Sequence, residues 1–447
     1  MGKLFGTDGV RGVANLELTP ELAFKIGEAA ADILLEEYDN SENKIILGRD
    51  TRVSGDMLAA AVIAGVNSAG VDIIDLDIVP TPAVSYLTGK NEVIGGIMIS
   101  ASHNPIEDNG IKVFGGDGCK ISEDVEIKIE ESMAAPTEPD SRPTHDKVGQ
   151  VIDDRELVND YINNVISSVR DDLSGLEVVL DCGHGAGYKI GPEILNKLGV
   201  TDLIAINDSG KGSMINVNCG STDTSGLIEK VKETGADLGI ALDGDADRAI
   251  LVDEKGNIAD GDKIMYLSAL SMQENGSLKK NKIVTTKYSN LGLDESLSKY
   301  GIEVLKVKNG DKYVLEGLKA NNLNLGGEKS GHIIYLDYNT SGDGILTAVQ
   351  IMDFVSQKGK NLDELLEGYQ EWPQLLENVR VQNKDWEDNQ AINEVIAEAD
   401  KDVDPGRIFV RASGTEPVIR VMLEGKELEL LEKWRDKLAA VIGEELN

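Results

Sequence analysis

At 447 residues with 41% hydrophobic content, the chain can build cores for about three domains, and this makes it globular and multidomain. Its 79 acidic against 44 basic residues leave a net charge of −35, which argues against nucleic acid or another polyanion as a general partner. An excess of this size fits adaptation to high salt or simply a solvated acidic surface, and it leaves room for a small anion wherever basic side chains gather.

Three widely spaced cysteines, Cys119, Cys182 and Cys219, show no CxxC spacing, so neither a disulfide framework nor a zinc site is indicated. The opening MGKLFGTDGVRG has no apolar h-region, and no apolar run approaches the length of a bilayer span. A cytoplasmic protein with no membrane partner is expected.

GTDGVRG is a glycine-rich turn presenting Arg11. Strand-like KIILGRD (44–50) is followed by a helical stretch from about Ser54 and by AGVDIIDLDIV (69–79). The order recurs in EVVLDCG (177–183) with LGVTDLIAIND (198–208), and in KIVTTKY (282–288) with IEVLKVKNG (302–310). In each copy a helix closes on glycine, Gly70, Gly199 or Gly301, which supplies a left-handed cap before a β-branched residue starts the next strand.

These are βαβ crossovers. Each continues through a further helix to a third apolar strand, VIGGIMIS, DLGIALD or NLGGE, which opens into a polar loop: ASHNP, GDADR or KSGH. Ligands collect beyond the carboxyl ends of strands in open α/β sheets, so the three loops are expected to meet in one cleft. The fold class is therefore α/β: three similar mixed-sheet domains around one cleft, plus a smaller C-terminal α+β domain. Boundaries are expected at 1–150, 151–255, 256–370 and 371–447. The first break falls in the proline-bearing stretch 133–149, and the last domain carries the alternating segments VRVQ, IFVRAS and VIRVMLE.

MISASHNP reads locally as a strand running into a helix cap beyond Pro105, whose N-terminus would favour an anion. Ser102 within it is a candidate nucleophile. In LDGDADR, Asp243, Asp245 and Asp247 place hard oxygen ligands at alternate positions, suited to Mg²⁺. An EF-hand and a solvated acidic turn compete with that reading, although Arg248 stands where an EF-hand needs glycine. RASGTEPVIR sets Arg411, Ser413, Gly414, Thr415 and Arg420 in a turn between strands, either a phosphate cradle or a polar hairpin. GGEKSGH offers Glu328, Ser330 and His332 to sugar hydroxyls. His145 and His184 read as structural or surface residues, and no GxSxG elbow surrounds Ser102.

With FGTDGVRG, ISASHNP, DNGIKVFGGDG, LDGDADR, GGEKSGH and RASGTEPVIR in order, the chain resembles the α-D-phosphohexomutase family over essentially its full length. The resemblance implies a phosphorylated Ser102, one Mg²⁺ per chain held by Asp243, Asp245, Asp247 and the Ser102 phosphate, a sugar loop at GEKSGH and a phosphate loop at RASGTEP. NGDKYVLE (309–316) points within the family to conversion of glucosamine 6-phosphate to glucosamine 1-phosphate through a 1,6-bisphosphate, on the route to UDP-N-acetylglucosamine and the cell wall. Lys312 and Ala412 depart from that subgroup's usual Arg and Pro.

Arg11 is then expected to stabilise the transferring phosphoryl group, with Lys112, His332 and His103 as candidate acids and bases. The ligands are the hexosamine phosphate and its bisphosphate, and the assembly a monomer or homodimer. Phosphomannomutase or phosphoglucomutase specificity is the alternative. A sugar-phosphate sensor without catalysis is the remoter one.

Overall fold

The computed structural model describes residues 4–6, 8–38, 42–135, 142–413 and 417–447. They form two compact units, one of residues 1–288 and 304–367, the other of 289–303 and 368–447.

The first unit begins with β1 (Val10–Val13), α1 (Pro20–Glu37), β2 (Lys44–Arg49), α2 (Gly55–Ser68), β3 (Asp72–Ile78), α3 (Thr81–Lys90), β4 (Gly95–Ile99), β5 (Asp108–Gly115), α4 (Glu123–Ala134) and β6 (Val151–Asp153). Its second stretch holds α5 (Val158–Ser167), β7 (Glu177–Asp181), α6 (Gly187–Lys197), β8 (Asp202–Ile206), α7 (Ser225–Thr234), β9 (Leu238–Leu242), β10 (Ala249–Asp253) and β11 (Ile258–Ala259). After α8 (Gly261–Glu274) come β12 (Lys282–Thr286) and, beyond α9 (Leu291–Ser298) of the second unit, β13 (Glu303–Val307), α10 (Asp311–Asn321), β14 (Leu325–Gly327), β15 (Ile333–Tyr335), α11 (Gly344–Lys358) and α12 (Leu362–Leu366).

The three copies read from the sequence emerge as three sheets with the same internal strand order: β5-β4-β2-β3, β10-β9-β7-β8 and β15-β14-β12-β13. The first sheet adds β1 and β6 at its edges, and the second adds β11. Gly70, Gly199 and Gly301 take φ values of +84°, +89° and +70°, the left-handed caps expected of them.

Local chemistry explains where the helices start and how they pack. Thr19 caps α1 by accepting from Leu22 N, Pro20 occupies its first turn, and Ala23, Ile26, Ala30 and Leu34 form its buried face. α1 and α2 meet at glycines: a Cβ on Gly65 would lie 2.1 Å from the Phe24 carbonyl, so only glycine permits this backbone approach.

The helix expected beyond Pro105 does not form. Residues after Pro105 turn back into β5, which pairs antiparallel with β4 and sets Ile99 opposite Ile111. Two facts explain this: Asp108–Gly115 is almost wholly buried, and the Pro105 and Asp108 carbonyls accept from Arg52, which holds the chain in a turn. The other two copies do the same, β9 pairing antiparallel with β10 and β14 with β15. Each candidate loop is thus the bend of a hairpin.

The first sheet also reaches past residue 150, because β6 pairs in parallel with β3.

The second unit contains β16 (Gln374–Arg380), α13 (Gln390–Asp402), β17 (Arg407–Ala412), β18 (Val418–Glu424) and α14 (Leu428–Leu446). Its antiparallel sheet, ordered β16-β18-β17, is covered by the two helices over a core that includes Ile392, Ile419, Leu423, Trp434, Leu438 and Ile442. Residues 289–303 join this unit because Asn290 exchanges hydrogen bonds with the Trp372 backbone and Leu291 N donates to Glu424 Oε1.

Candidate active site

Backbone hydrogen bonds bring the three hairpin bends together. Thr81 N, in the first sheet's domain, donates to the Asp245 carbonyl at 3.0 Å, and Ala249 N in the second sheet donates to the Gly331 carbonyl at 3.2 Å. Ser102 is fully buried with φ of +52°, a left-handed conformation that costs a serine energy and is held by its surroundings. Its N–H donates to Ser100 Oγ at 2.8 Å, and its own Oγ donates to Asp243 Oδ2 at 2.6 Å. His103 Nδ1 lies 3.3 Å from the same Oγ.

Asp243, Asp245 and Asp247 are buried with ligand-type oxygens within 4.8 Å of one another. Ala246 adopts φ of +55°, and Gly244 lies so close to the Ser102 carbonyl that a Cβ would sit 2.5 Å away. This is the curl that brings the three carboxylates to one point. Strands β9 and β10 flank it, which rules out the EF-hand reading.

The donor set fits a hard divalent cation. Asp245 Oδ1 is buried without a hydrogen-bond partner, and burial together with the charges of Asp247 and Asp245 holds the Asp243 carboxyl well above the usual carboxylate range. Burial also opposes ionisation of Asp247, but Lys112, His332 and Arg248 hold its carboxyl well below that range.

Lys112, on β5, reaches into this cluster with its ammonium 2.8 Å from Asp245, 3.4 Å from Asp247 and 3.0 Å from Asp8. Burial alone would lower its pKa, yet the carboxylates of Asp245, Asp8 and Asp247 raise it well above 10.5. Lys112 is therefore held as a cation in this state, and it is not a base.

Two of the expected acid–base candidates are shifted in opposite directions. Burial, with Arg248 and Arg11 adding to it, brings His103 down to about 4, so its ring is neutral near pH 7. For His332, burial acts downward but Asp247 and Asp311 raise the pKa. The Gly342 N–H donates to His332 Nε2 at 3.1 Å, which places the ring proton on Nδ1, 3.6 Å from Asp247 Oδ1.

A cleft of about 340 Å³ collects Arg11, His103, Asp247, Arg248, Glu328 and His332, together with Asp8 and Asn309 to Asp311. Arg11 donates to Asn104 Oδ1 at 2.8 Å and pairs with Asp8. Glu328 Oε1 accepts from Gly310 N at 3.0 Å, which ties the GGEKSGH loop to the NGDKYV segment. Lys120 bridges Asp8 and Asp311. Ser330 is exposed and does not line this cleft. Lys312 lines a neighbouring cavity instead.

In the second unit, Arg411 on β17 stands directly opposite Arg420 on β18, so their side chains leave the same face of the sheet. Ser413 is buried, its N–H donates to the Val418 carbonyl, and Lys384 Nζ donates to the Ser413 carbonyl at 2.8 Å. Gly414 and Thr415 lie outside the described residues. Like charges placed in register suit an anion-binding loop.

Family models for all four phosphoglucomutase/phosphomannomutase domains match the chain in order: α/β/α domain I over residues 2–140, domain II over 159–256, domain III over 260–372 and the C-terminal domain over 376–441. The chain belongs to the phosphoglucomutase/phosphomannomutase family. Among its relatives, a phosphoglucosamine mutase of Carboxydothermus hydrogenoformans is 48% identical, over 99% of this chain and 99% of its own length. A phosphoglucosamine mutase of Bacillus pumilus is 46% identical, over 100% and 99%.

Solved family structures share the fold. A phosphoglucomutase/phosphomannomutase family protein of Burkholderia thailandensis superposes with a TM-score of 0.82 at 22% identity, covering 98% of this chain and 97% of its own. The Aspergillus fumigatus N-acetylphosphoglucosamine mutase in complex with GlcNAc-6P and magnesium gives 0.69 at 18% identity, covering 99% and 96%. Among the described residues no helix is long and apolar enough to cross a membrane.

Several residues in or behind this family member's cleft were not singled out from the sequence. Asp8 lies within the quoted GTDGVRG turn, and Asp50 and Arg52 follow β2 at the same sheet end as Ser102. Burial pushes the Asp50 carboxyl up to about 6 against the pull of Arg52. Thr81 donates its hydroxyl to Asp245 Oδ2, and Asp311 opens α10. Proximity to the carboxyl end of a strand was the available signal for Asp50 and Arg52. Nothing in the spacing marked Thr81 or Lys120.

Proposed function

We propose that the chain is a phosphoglucosamine mutase, interconverting glucosamine 6-phosphate and glucosamine 1-phosphate through a phosphoserine at Ser102 and a 1,6-bisphosphate. The observation that carries this reading is the Ser102 hydroxyl seated 2.6 Å from Asp243 on a cluster of three carboxylates, one of which, Asp247, lines a cleft together with Arg11, Arg248 and two histidines. The sugar preference is supported by relatives of that name that align over nearly the whole chain.

The phosphoryl group leaves Ser102 Oγ for the free sugar hydroxyl at C1 or C6: the serine P–O bond breaks, a sugar P–O bond forms, and the sugar hydroxyl gives up its proton. After the bisphosphate turns round, Ser102 takes the other phosphoryl group and a proton returns to the sugar oxygen. Such transfer depends on positioning and cation stabilisation.

Asp243, Asp245 and Asp247 would hold one Mg²⁺, which neutralises charge on the phosphoryl oxygens when bound. Arg11 and Arg248 line the cleft and present guanidinium groups to the same anion. His103, neutral and with Nδ1 facing Ser102 Oγ, takes the proton and returns it in the second half-reaction; Lys112, held as a cation, keeps the carboxylates paired. Glu328 and His332, which line the cleft, recognise the sugar, whereas Ser330 of the same loop is exposed and lies outside it. Arg411, Ser413, Gly414, Thr415 and Arg420 hold the phosphate that is not reacting.

Segments 1–150, 151–255, 256–370 and 371–447 accordingly carry the phosphoserine, metal, sugar and phosphate loops, in a cytoplasmic enzyme acting on free hexosamine phosphates.

Intact-mass measurement should show one phosphate, mapped to Ser102, after incubation with a hexose bisphosphate. Ser102→Ala should fold, lack that phosphate and lose turnover; substantial residual turnover overturns the covalent mechanism. The glucosamine assignment requires kcat/KM on glucosamine 6-phosphate to exceed that on glucose and mannose phosphates, and the reverse ranking refutes it.

A further inference from the structure

Arg52, in the turn between β2 and α2, is fully buried in its side chain, yet it touches none of the residues that line the cleft toward substrate. A guanidinium has five N–H donors. All five are occupied: Nε donates to Asp50 Oδ2 at 3.1 Å, Nη1 donates to the carbonyls of Pro105 and Asp108, and Nη2 to those of Ser102 at 2.9 Å and Asn104 at 2.8 Å. Four carbonyls of the nucleophile loop, between residues 102 and 108, are thus pinned to one planar group.

The Ser102 carbonyl accepts a second bond from across the domains. Asn216 Nδ2, in the loop after β8, donates to it at 2.8 Å, and Gly244 of the metal loop packs against the same oxygen. Asp50 completes the frame by accepting from Ser100 Oγ at 2.6 Å, which in turn accepts from Ser102 N. The backbone of Ser102 is therefore bonded on both its N–H and its carbonyl while it holds a φ of +52°. Without these bonds the extended region of φ/ψ space, favoured for serine, would turn the hydroxyl away from Asp243.

We propose that Arg52 and Asn216 are positioning residues for the phosphoryl-transfer step: they grip the Ser102 carbonyl from the first and second domains and so register the hydroxyl on the metal loop. This rests on Ser102 being the nucleophile. Lysine cannot replace Arg52, because an ammonium has three donors and no plane.

The test compares Arg52→Lys and Asn216→Ala with wild type and with Ser102→Ala, measuring kcat, KM for the sugar phosphate, and the rate at which a hexose bisphosphate phosphorylates Ser102, read by intact mass. Misplacing a reacting group by an ångström costs about 10²-fold in rate, so Arg52→Lys should lose about that much in kcat and in the phosphorylation rate, with KM within about threefold. Asn216→Ala, which leaves the Arg52 network whole, should lose about tenfold in both rates with KM unchanged.

If Arg52→Lys does not fold, Asn216→Ala decides alone. Wild-type phosphorylation rates in a folded variant, or a loss confined to KM, overturn the proposal. An active Ser102→Ala would instead overturn the nucleophile assignment, so the two failures are distinguishable.

Discussion

Asp245→Asn separates the metal site from the fold. Two ionised carboxylates at the 4.8 Å limit of this cluster repel by ~3.5 kcal/mol at an effective dielectric constant of about 20. With the Asp243 carboxyl held toward its neutral form, the substitution removes one such repulsion, that with Asp247, and with it the attraction of Lys112 Nζ at 2.8 Å, ~6 kcal/mol. The terms offset in part, and the asparagine oxygen can still accept from the Thr81 hydroxyl, so metal-free stability should fall by about 2–3 kcal/mol. Metal binding has no such compensation. With Mg²⁺ at a hundred times its Kd, the wild type gains ~2.7 kcal/mol, and the variant should gain almost none. Turnover should fall at least about a hundredfold, the equivalent of ~3 kcal/mol of lost transition-state stabilisation. Thermal unfolding with and without Mg²⁺, alongside a turnover titration, measures both effects. A wild-type Mg²⁺-dependent shift in Asp245→Asn would refute the ligand assignment, and a collapse of its metal-free midpoint would refute the charge balance.

Asp343 caps α11 by accepting from Leu346 N and also accepts from Tyr161, and burial pushes its carboxyl from 3.8 up to about 6. A carboxyl raised in this way contributes stability that is present below 3.8 and lost as pH rises through about 6, ~3 kcal/mol in all. Asp343→Asn keeps an accepting oxygen but cannot ionise, so its stability relative to wild type should rise between about pH 4 and 6 in denaturant titrations and level off above that; a difference that stays flat from about pH 4 to 6 contradicts this. Gly342→Ala would set a Cβ 2.4 Å from His332 Nε2, so it should cost about 1–3 kcal/mol in stability and displace His332, which kcat and thermal unfolding would reveal. Arg411→Ala should raise KM for the sugar phosphate about tenfold while leaving Ser102 phosphorylation intact, consistent with loss of a charge-assisted phosphate contact; an unchanged KM removes Arg411 from the cradle.

The repeated β-α-β-α-β order was legible because it depends on short-range signals: apolar runs of strand length, helices closed by Gly70, Gly199 and Gly301, and polar loops beginning at strand ends. The aspartate triplet and Ser102 stood out for the same reason, since each is a local cluster of chemically unusual composition for a strand terminus. The bend after Pro105 was misread because Ser, Asn and Pro favour a helix start as well as a turn. What decided between them was Arg52, fifty residues upstream of Ser102, taking the carbonyls of the loop.

Sequence alone therefore determined the repeated units, the fold class and the polar loops at the strand ends, because these follow from patterns within one or two elements. Only the tertiary structure decided which side chains from different repeats meet. It set Ser102 against Asp243, caged Lys112 among three aspartates, aimed His332 at Asp247, and brought Arg52 and Asn216 to one carbonyl. Those pairings span tens to hundreds of residues, and they arise from burial: a charged or polar group excluded from water must find its partner wherever the packing of the sheets presents one.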